Sequence, residues 1–152
     1  MALQKKPQYS IFVDGSSRGN PGPAGVGVAA FGAGEDNPSV EISKYIGLTT
    51  NNVAEYEAVI HALKWMIDSG IRQATIKLDS ELVFKQLMGN YRVRSPHIKL
   101  LVKRINTLKS QIEEVTFVLV PREENKLANR LAQTASKKVK VKHQRFKQLP
   151  LR

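Results

Sequence analysis

Three acidic residues stand where this chain changes character. Asp14 ends an apolar run, Glu55 lies near the start of a long amphipathic stretch, and Asp79 ends a second apolar run. Each has an ordinary explanation. Asp14 with Gly15 can form a turn, Glu55 can complete a capping box three residues after Asn52, and Asp79 can open a helix before Ser80. If the two runs are neighbouring central strands, Asp14 and Asp79 leave the sheet at one edge, and a helix start bearing Glu55 can pack over it. Carboxylates that converge in this way repel one another unless cations join them. Hard oxygen ligands with few His and no Cys suit Mg2+, or Mn2+, rather than zinc. A carboxylate cluster holding two such ions ~3.5–4 Å apart is an apparatus for in-line displacement at phosphorus.

The elements needed to bring these residues together are legible in the order required. Residues 8–14 are rich in β-formers, Gly15 to Gly25 reads as a loop with four Gly and two Pro, and Val26–Phe31 and Val40–Leu48 read as further strands around a turn at 32–37. The glycines of the second strand allow close backbone approach. The period then changes. Val53, Tyr56, Val59, Ile60, Leu63 and Ile67 recur at helical spacing until Gly70. Ala74–Leu78 reads as a strand, Ser80 as the cap of a helix over 81–88, and Pro96 as the first turn of a helix to Leu108. Val115–Val120 reads as a buried strand and 123–136 as a last helix. Three antiparallel strands followed by helix-linked parallel ones predict an α/β fold with a mixed sheet flanked by helices.

The 152 residues carry 24 Lys+Arg against 13 Asp+Glu, a formal net charge of +11. Seven of those charges lie in 137–152, which leaves +4 on residues 1–136. The division predicts one globular domain over 1–136 and a basic C-terminal tail over 137–152, which either seeks phosphate, most often nucleic acid, or merely stays solvated. The absence of Cys excludes a disulfide scaffold, thiolate zinc sites and cysteine catalysis. No apolar run approaches the ~18 residues of a membrane span. The first residues lack the apolar stretch of a secretory signal, so a cytoplasmic protein without membrane contact is expected. The glycine-rich loop fits neither a dinucleotide fingerprint nor a Walker motif.

The segments Phe12-Val13-Asp14-Gly15-Ser16-Ser17-Arg18-Gly19-Asn20-Pro21-Gly22-Pro23-Ala24-Gly25, Thr50-Asn51-Asn52-Val53-Ala54-Glu55-Tyr56, Asp79-Ser80 and Val120-Pro121-Arg122-Glu123-Glu124-Asn125-Lys126 resemble type 1 ribonuclease H. The likeness is to its short, reverse-transcriptase-like prokaryotic branch and extends over roughly 8–136. It implies a ribonuclease H-like fold with a five-stranded mixed sheet. It also implies Mg2+-dependent hydrolysis of the RNA strand of RNA/DNA hybrids, leaving a 3′-hydroxyl and a 5′-phosphate. By this resemblance Asp14, Glu55 and Asp79 are three of four catalytic metal-binding carboxylates. The fourth is an Asp within Ala-Asp-x-Leu-Ala, and Asn129 stands there in Ala128-Asn129-Arg130-Leu131-Ala132.

An amide binds a cation more weakly than a carboxylate, so slowed turnover is expected, and an inactive nucleic-acid-binding protein is the alternative. A different nuclease of the same superfold is a second alternative. The family's loop His is missing. Glu123 and Glu124 occupy that loop, where they either stand in for the His or, as the simpler reading, compensate charge at a helix start, and His97 lies in a segment that reads as structural. Asn20, Asn51 and Asn52 match residues that touch the hybrid's minor groove, Thr50 one of a DNA-phosphate pocket, and Glu81 a position where Gln commonly meets substrate. The basic protrusion of longer members is missing between Met88 and Pro96. The tail either supplies part of that grip or, through Val139 and Val141, adds a strand or packs on the body. A monomer is expected.

Overall fold

The computed structural model describes residues 8–148, and their side chains through Lys137. Strands β1 (Tyr9–Ser17), β2 (Gly22–Phe31) and β3 (Val40–Thr49) are followed by helix α1 (Asn51–Ser69) and strand β4 (Gln73–Leu78). Helices α2 (Glu81–Leu87) and α3 (Pro96–Lys109) lead to strand β5 (Glu114–Leu119), a 3-10 turn at Arg122–Glu124 and helix α4 (Lys126–Gln148). The sheet order is β3-β2-β1-β4-β5. β1, β2 and β3 pair antiparallel, whereas β4 and β5 join parallel through their helices. This is the mixed α/β sheet expected from the sequence.

Both faces of β2 are covered, which is why all its residues from Ala24 to Ala30 are buried. Ile11, Val13, Val26, Val28 and Ala30 meet Val59, Ile60, Leu63 and Met66 of α1 in the main core, which extends to Ile76 of β4 and Ile105 of α3. The other face is built from small residues. A Cβ on Gly25 would meet the Ala132 carbonyl oxygen at 2.6 Å, and one on Gly27 would meet the Ala128 carbonyl oxygen at 2.1 Å. Ala128, Ala132 and Ala135 lie on the buried side of α4, and Ser43 Oγ donates to the Leu131 carbonyl at 2.6 Å. One face is thus filled by branched side chains and the other by near contact of backbones.

Local chemistry sets the helix ends. Thr50, Ser80 and Ser95 accept hydrogen bonds from Val53, Val83 and Ile98 as N-caps, and Pro96 fills the first turn of α3. Gly70, at φ 70°, closes α1, with Ile71 N donating to the Met66 carbonyl at 2.9 Å. With Thr50 as the cap, Glu55 falls beyond the third helical position, so the capping box on Asn52 is not formed.

Three readings of the sequence are corrected. The loop expected over 15–25 is mostly strand: β1 runs to Ser17 and β2 begins at Gly22, because these glycines serve close packing rather than a turn. The last helix begins only after the 3-10 turn, and it continues past Ser136 to Gln148. Its lysines and glutamines favour helix, and no Gly or Pro intervenes before Pro150. Val139 and Val141 therefore lie in a helix rather than an added strand. Their side chains fall outside the described ones, as does any contact of the 137–152 tail beyond Lys137.

The Gly27 contact generates a prediction about stability. Gly27→Ala must move α4 off the sheet, at ~1–3 kcal/mol by analogy with overpacked cores. Calorimetry is expected to show a melting temperature lower by about 2 °C or more, and an unchanged value would refute the close approach.

Candidate active site

Parallel pairing of β1 with β4 puts two strand ends side by side. Ile11 pairs with Ile76 and Phe12 with Lys77, so two residues further on Asp14 stands beside Asp79. Asp14 also pairs across β1–β2 with Gly27, whose lack of a side chain lets α4 descend onto it. Glu55 arrives from the opposite face. A Cβ on Gly15 would lie 2.2 Å from Ala54 C and 2.4 Å from Glu55 N, so only glycine admits the backbone of α1 beside Asp14. The Asp14-Gly15 step is therefore a carboxylate followed by the gap through which its partner enters, not a turn.

Asp14, Glu55 and Asp79 each offer a carboxylate oxygen, all within 4.8 Å of one another. Asp14 is 5% exposed, and the other two are half-buried. Burial, then the charge of Asp14, pushes the Glu55 carboxyl up to about 8. Asp14 is also raised, first by burial, against the lowering effect of a hydrogen bond from Asn129. Glu55 keeps its proton at neutral pH and shares it with Asp14. Carboxylates packed this closely disfavour one another's charged form. Among the described residues this cluster is the group of acidic and imidazole side chains able to hold a metal ion. A donor set of three carboxylates without His or Cys fits a hard divalent cation.

Asn129 joins the cluster directly, its Nδ2 donating to Asp14 Oδ2 at 2.7 Å. It also lines a cleft of about 350 Å3 with Arg122, Glu123 and Lys126. Glu123 and Glu124 are exposed in the preceding turn, and His97 is exposed in the first turn of α3, outside the carboxylate group. The residues matched to substrate contacts divide into two sets. Asn20 Oδ1 accepts from Asn51 N at 3.0 Å and Asn51 Oδ1 accepts from Ser17 N at 3.3 Å, tying the β1–β2 hairpin to the start of α1. Thr50 caps that helix, and Asn52 is half-buried beside it. Glu81 is exposed on α2 and pairs with Lys85 at 3.3 Å instead.

Two further side chains bear on the site: Ser80, read from the sequence as a helix cap alone, and Asn125, given no role of its own there. Ser80 accepts from Val83 N at 3.2 Å, and its hydroxyl hydrogen-bonds the Glu55 carboxyl and favours its ionised form. Asn125 is 1% exposed, and its Nδ2 donates to the Val13 carbonyl at 2.9 Å and to Asp79 Oδ2 at 3.2 Å. For Ser80 the signal was a polar residue at a helix start, which reads first as a cap; Asn125 falls inside the helix expected over 123–136, where nothing local sets it apart.

Residues 12–135 match the family described as reverse transcriptase-like. Bifunctional protein Rv2228c of Mycobacterium tuberculosis is 39% identical over 125 residues, 82% of this chain and 34% of that protein. Ribonuclease HI of Halobacterium salinarum is 38% identical over 124 residues, 82% of this chain and 62% of that protein. This chain thus spans about a third of the first relative and three fifths of the second. The solved structure of LC11-RNase H1 in complex with RNA/DNA hybrid is 39% identical, with a TM-score of 0.81 over 87% of this chain and 99% of that one. The chain belongs to the ribonuclease H family, with the reverse transcriptase-like domain as its body.

Proposed function

We propose that the chain is an endoribonuclease that hydrolyses the RNA strand of RNA/DNA hybrids with two Mg2+ ions, for which Mn2+ can substitute. The observation that carries this reading is the meeting of Asp14, Glu55 and Asp79 within 4.8 Å in a chain of net charge +11. The structure of LC11-RNase H1 with a hybrid supports the choice of substrate. The chemistry supplied by bound divalent ions is Lewis-acid activation of a water for attack at the scissile phosphorus and stabilisation of the departing oxygen. Asp14, Glu55 and Asp79 would hold such ions through their carboxylate oxygens. Asn129 holds Asp14 through its amide and adds no charge, so it attenuates rather than abolishes the reaction.

The hairpin at 18–21 and the start of α1 form one polar surface, with Asn20, Asn51 and Asn52 facing the minor groove, where 2′-hydroxyls mark RNA. Thr50 lies at the DNA phosphates. Glu81, engaged with Lys85, contributes least to binding. The basic excess draws the polyanion, with the tail over 137–152 as added grip beyond the domain over 1–136. Among the described residues no helix is long and apolar enough to cross a membrane. We read the chain as a cytoplasmic monomer.

A strand-labelled hybrid incubated with Mg2+ tests the reaction. Internal cuts in the RNA strand alone are expected. Asn129→Asp is expected to raise the rate by about tenfold or more, since a fourth charge beside divalent ions is worth at least ~1.4 kcal/mol. Hybrid binding without cutting by either protein would make the chain a binding protein, and trimming from one end would make it an exonuclease.

The raised Glu55 carboxyl gives a second prediction. The metal-free folded protein holds a proton that the unfolded chain loses near 4.5, and releases it only at about 8. Stability therefore falls as pH rises through that window and levels off above it. Calorimetry in EDTA is expected to show the melting temperature dropping between pH 5.5 and 8.5. Glu55→Gln is expected to flatten that slope, as is saturating Mn2+, which takes the place of the proton. A slope of equal size in Glu55→Gln would remove Glu55 as its source.

A further inference from the structure

Asn125 stands between the 3-10 turn and the first residue of α4. An asparagine there ordinarily turns its side-chain oxygen onto the N–H groups of the first helical turn. Here Oδ1 is buried without a hydrogen-bond partner among the described residues. The nitrogen is directed instead at the sheet, where it donates to the Val13 carbonyl and to Asp79 Oδ2. Both acceptors fix this orientation, because the reversed amide would set its own oxygen against a carbonyl and a carboxylate. The residue thus forgoes a cap and leaves a buried carbonyl unsatisfied, an arrangement that calls for an explanation.

The explanation lies one turn further along the same helix face. Asn129 donates to Asp14, so α4 presents two amides, four residues apart, to the two strand-end aspartates. Asn125 additionally grips the residue before Asp14. A single side chain therefore ties the end of β1, the end of β4 and the start of α4 together, at the point where the carboxylates converge.

We propose that Asn125 is a positioning residue of the metal site, fixing the Asp79 carboxylate through Oδ2 and the spacing of Asp79 from Asp14. This rests on the reading of the three carboxylates as that site. Hydrogen bonds that orient metal-binding carboxylates from behind weigh ~10–100-fold in metal affinity. The test is calorimetric titration of Mn2+ into the full-length chain, Asn125→Leu, which keeps the branched shape without the amide, and Asn125→Ala. Circular dichroism identifies the variants that are folded at the titration temperature. In each folded variant the Mn2+ dissociation constant is expected to rise about tenfold or more, while the secondary structure stays that of the wild type. A purely structural role would move the melting temperature and leave that constant alone. A folded variant within about twofold of the wild type overturns the proposal. Loss of fold in both variants overturns it as well, since Asn125 would then hold up the fold rather than the site. Absence of Mn2+ binding by the wild-type chain defeats the metal-site reading itself, and that outcome is seen before any variant is compared.

Discussion

Like-charge repulsion among Asp14, Glu55 and Asp79 is the constraint to which the surrounding elements answer. Three carboxylates within 4.8 Å, one of them nearly sealed from water, would push two strands and a helix apart if all were ionised and alone. The structure answers with neutral donors. Glu55 retains a proton, Ser80 hydrogen-bonds Glu55, Asn129 holds Asp14 and Asn125 holds Asp79. Each donor comes from an element that must be placed by other means, so the site is only as stable as the packing behind it. A divalent cation held there would offset the same repulsion by charge.

That packing relies on an asymmetry between the two faces of the sheet. Toward α1, Gly15 apart, the side chains are branched and large, and interdigitation keeps the helix at an ordinary distance. Toward α4 they are glycine and alanine, and the helix backbone comes down almost to the strand. The close approach matters at the site because Asn125 and Asn129 have short side chains. Had Gly25 and Gly27 carried even a methyl group, α4 would stand too far away for either amide to reach an aspartate. Gly15 performs the matching service for Glu55 on the other side. Three glycines in two adjacent strands thus control the distances among the charged groups.

The positions of the strand-end aspartates were legible because parallel neighbours end together, and the alternation of β1 and β4 can be read without knowing the partner strand. Glu55 was legible from the helical period that begins around it. What escaped the sequence was direction and proximity. Gly15 and Gly25 read as loop because glycine punctuates local patterns, whereas their role is to admit a helix distant in sequence. Asn125 falls inside the helix read over 123–136, and the local code cannot tell that its amide turns backwards onto β1 and β4. The end of α4 was missed for a simpler reason. A basic run reads as a tail by charge, although Lys, Arg and Gln are good helix formers and nothing breaks the helix before Pro150.

Asn129 shows how stability and chemistry pull against each other at one atom. An aspartate there would bring a fourth carboxylate against Asp14 Oδ2, where Nδ2 now donates at 2.7 Å. In the metal-free protein the exchange would turn an attraction into a repulsion inside a site that already holds back one proton. With cations present the sign reverses, because the extra charge would then bind rather than repel. The amide therefore favours the empty folded state, and a carboxylate would favour the loaded one. A site built for function commonly carries such a cost in stability. In either case Asp14, Glu55 and Asp79 remain the three carboxylates that meet at the strand ends.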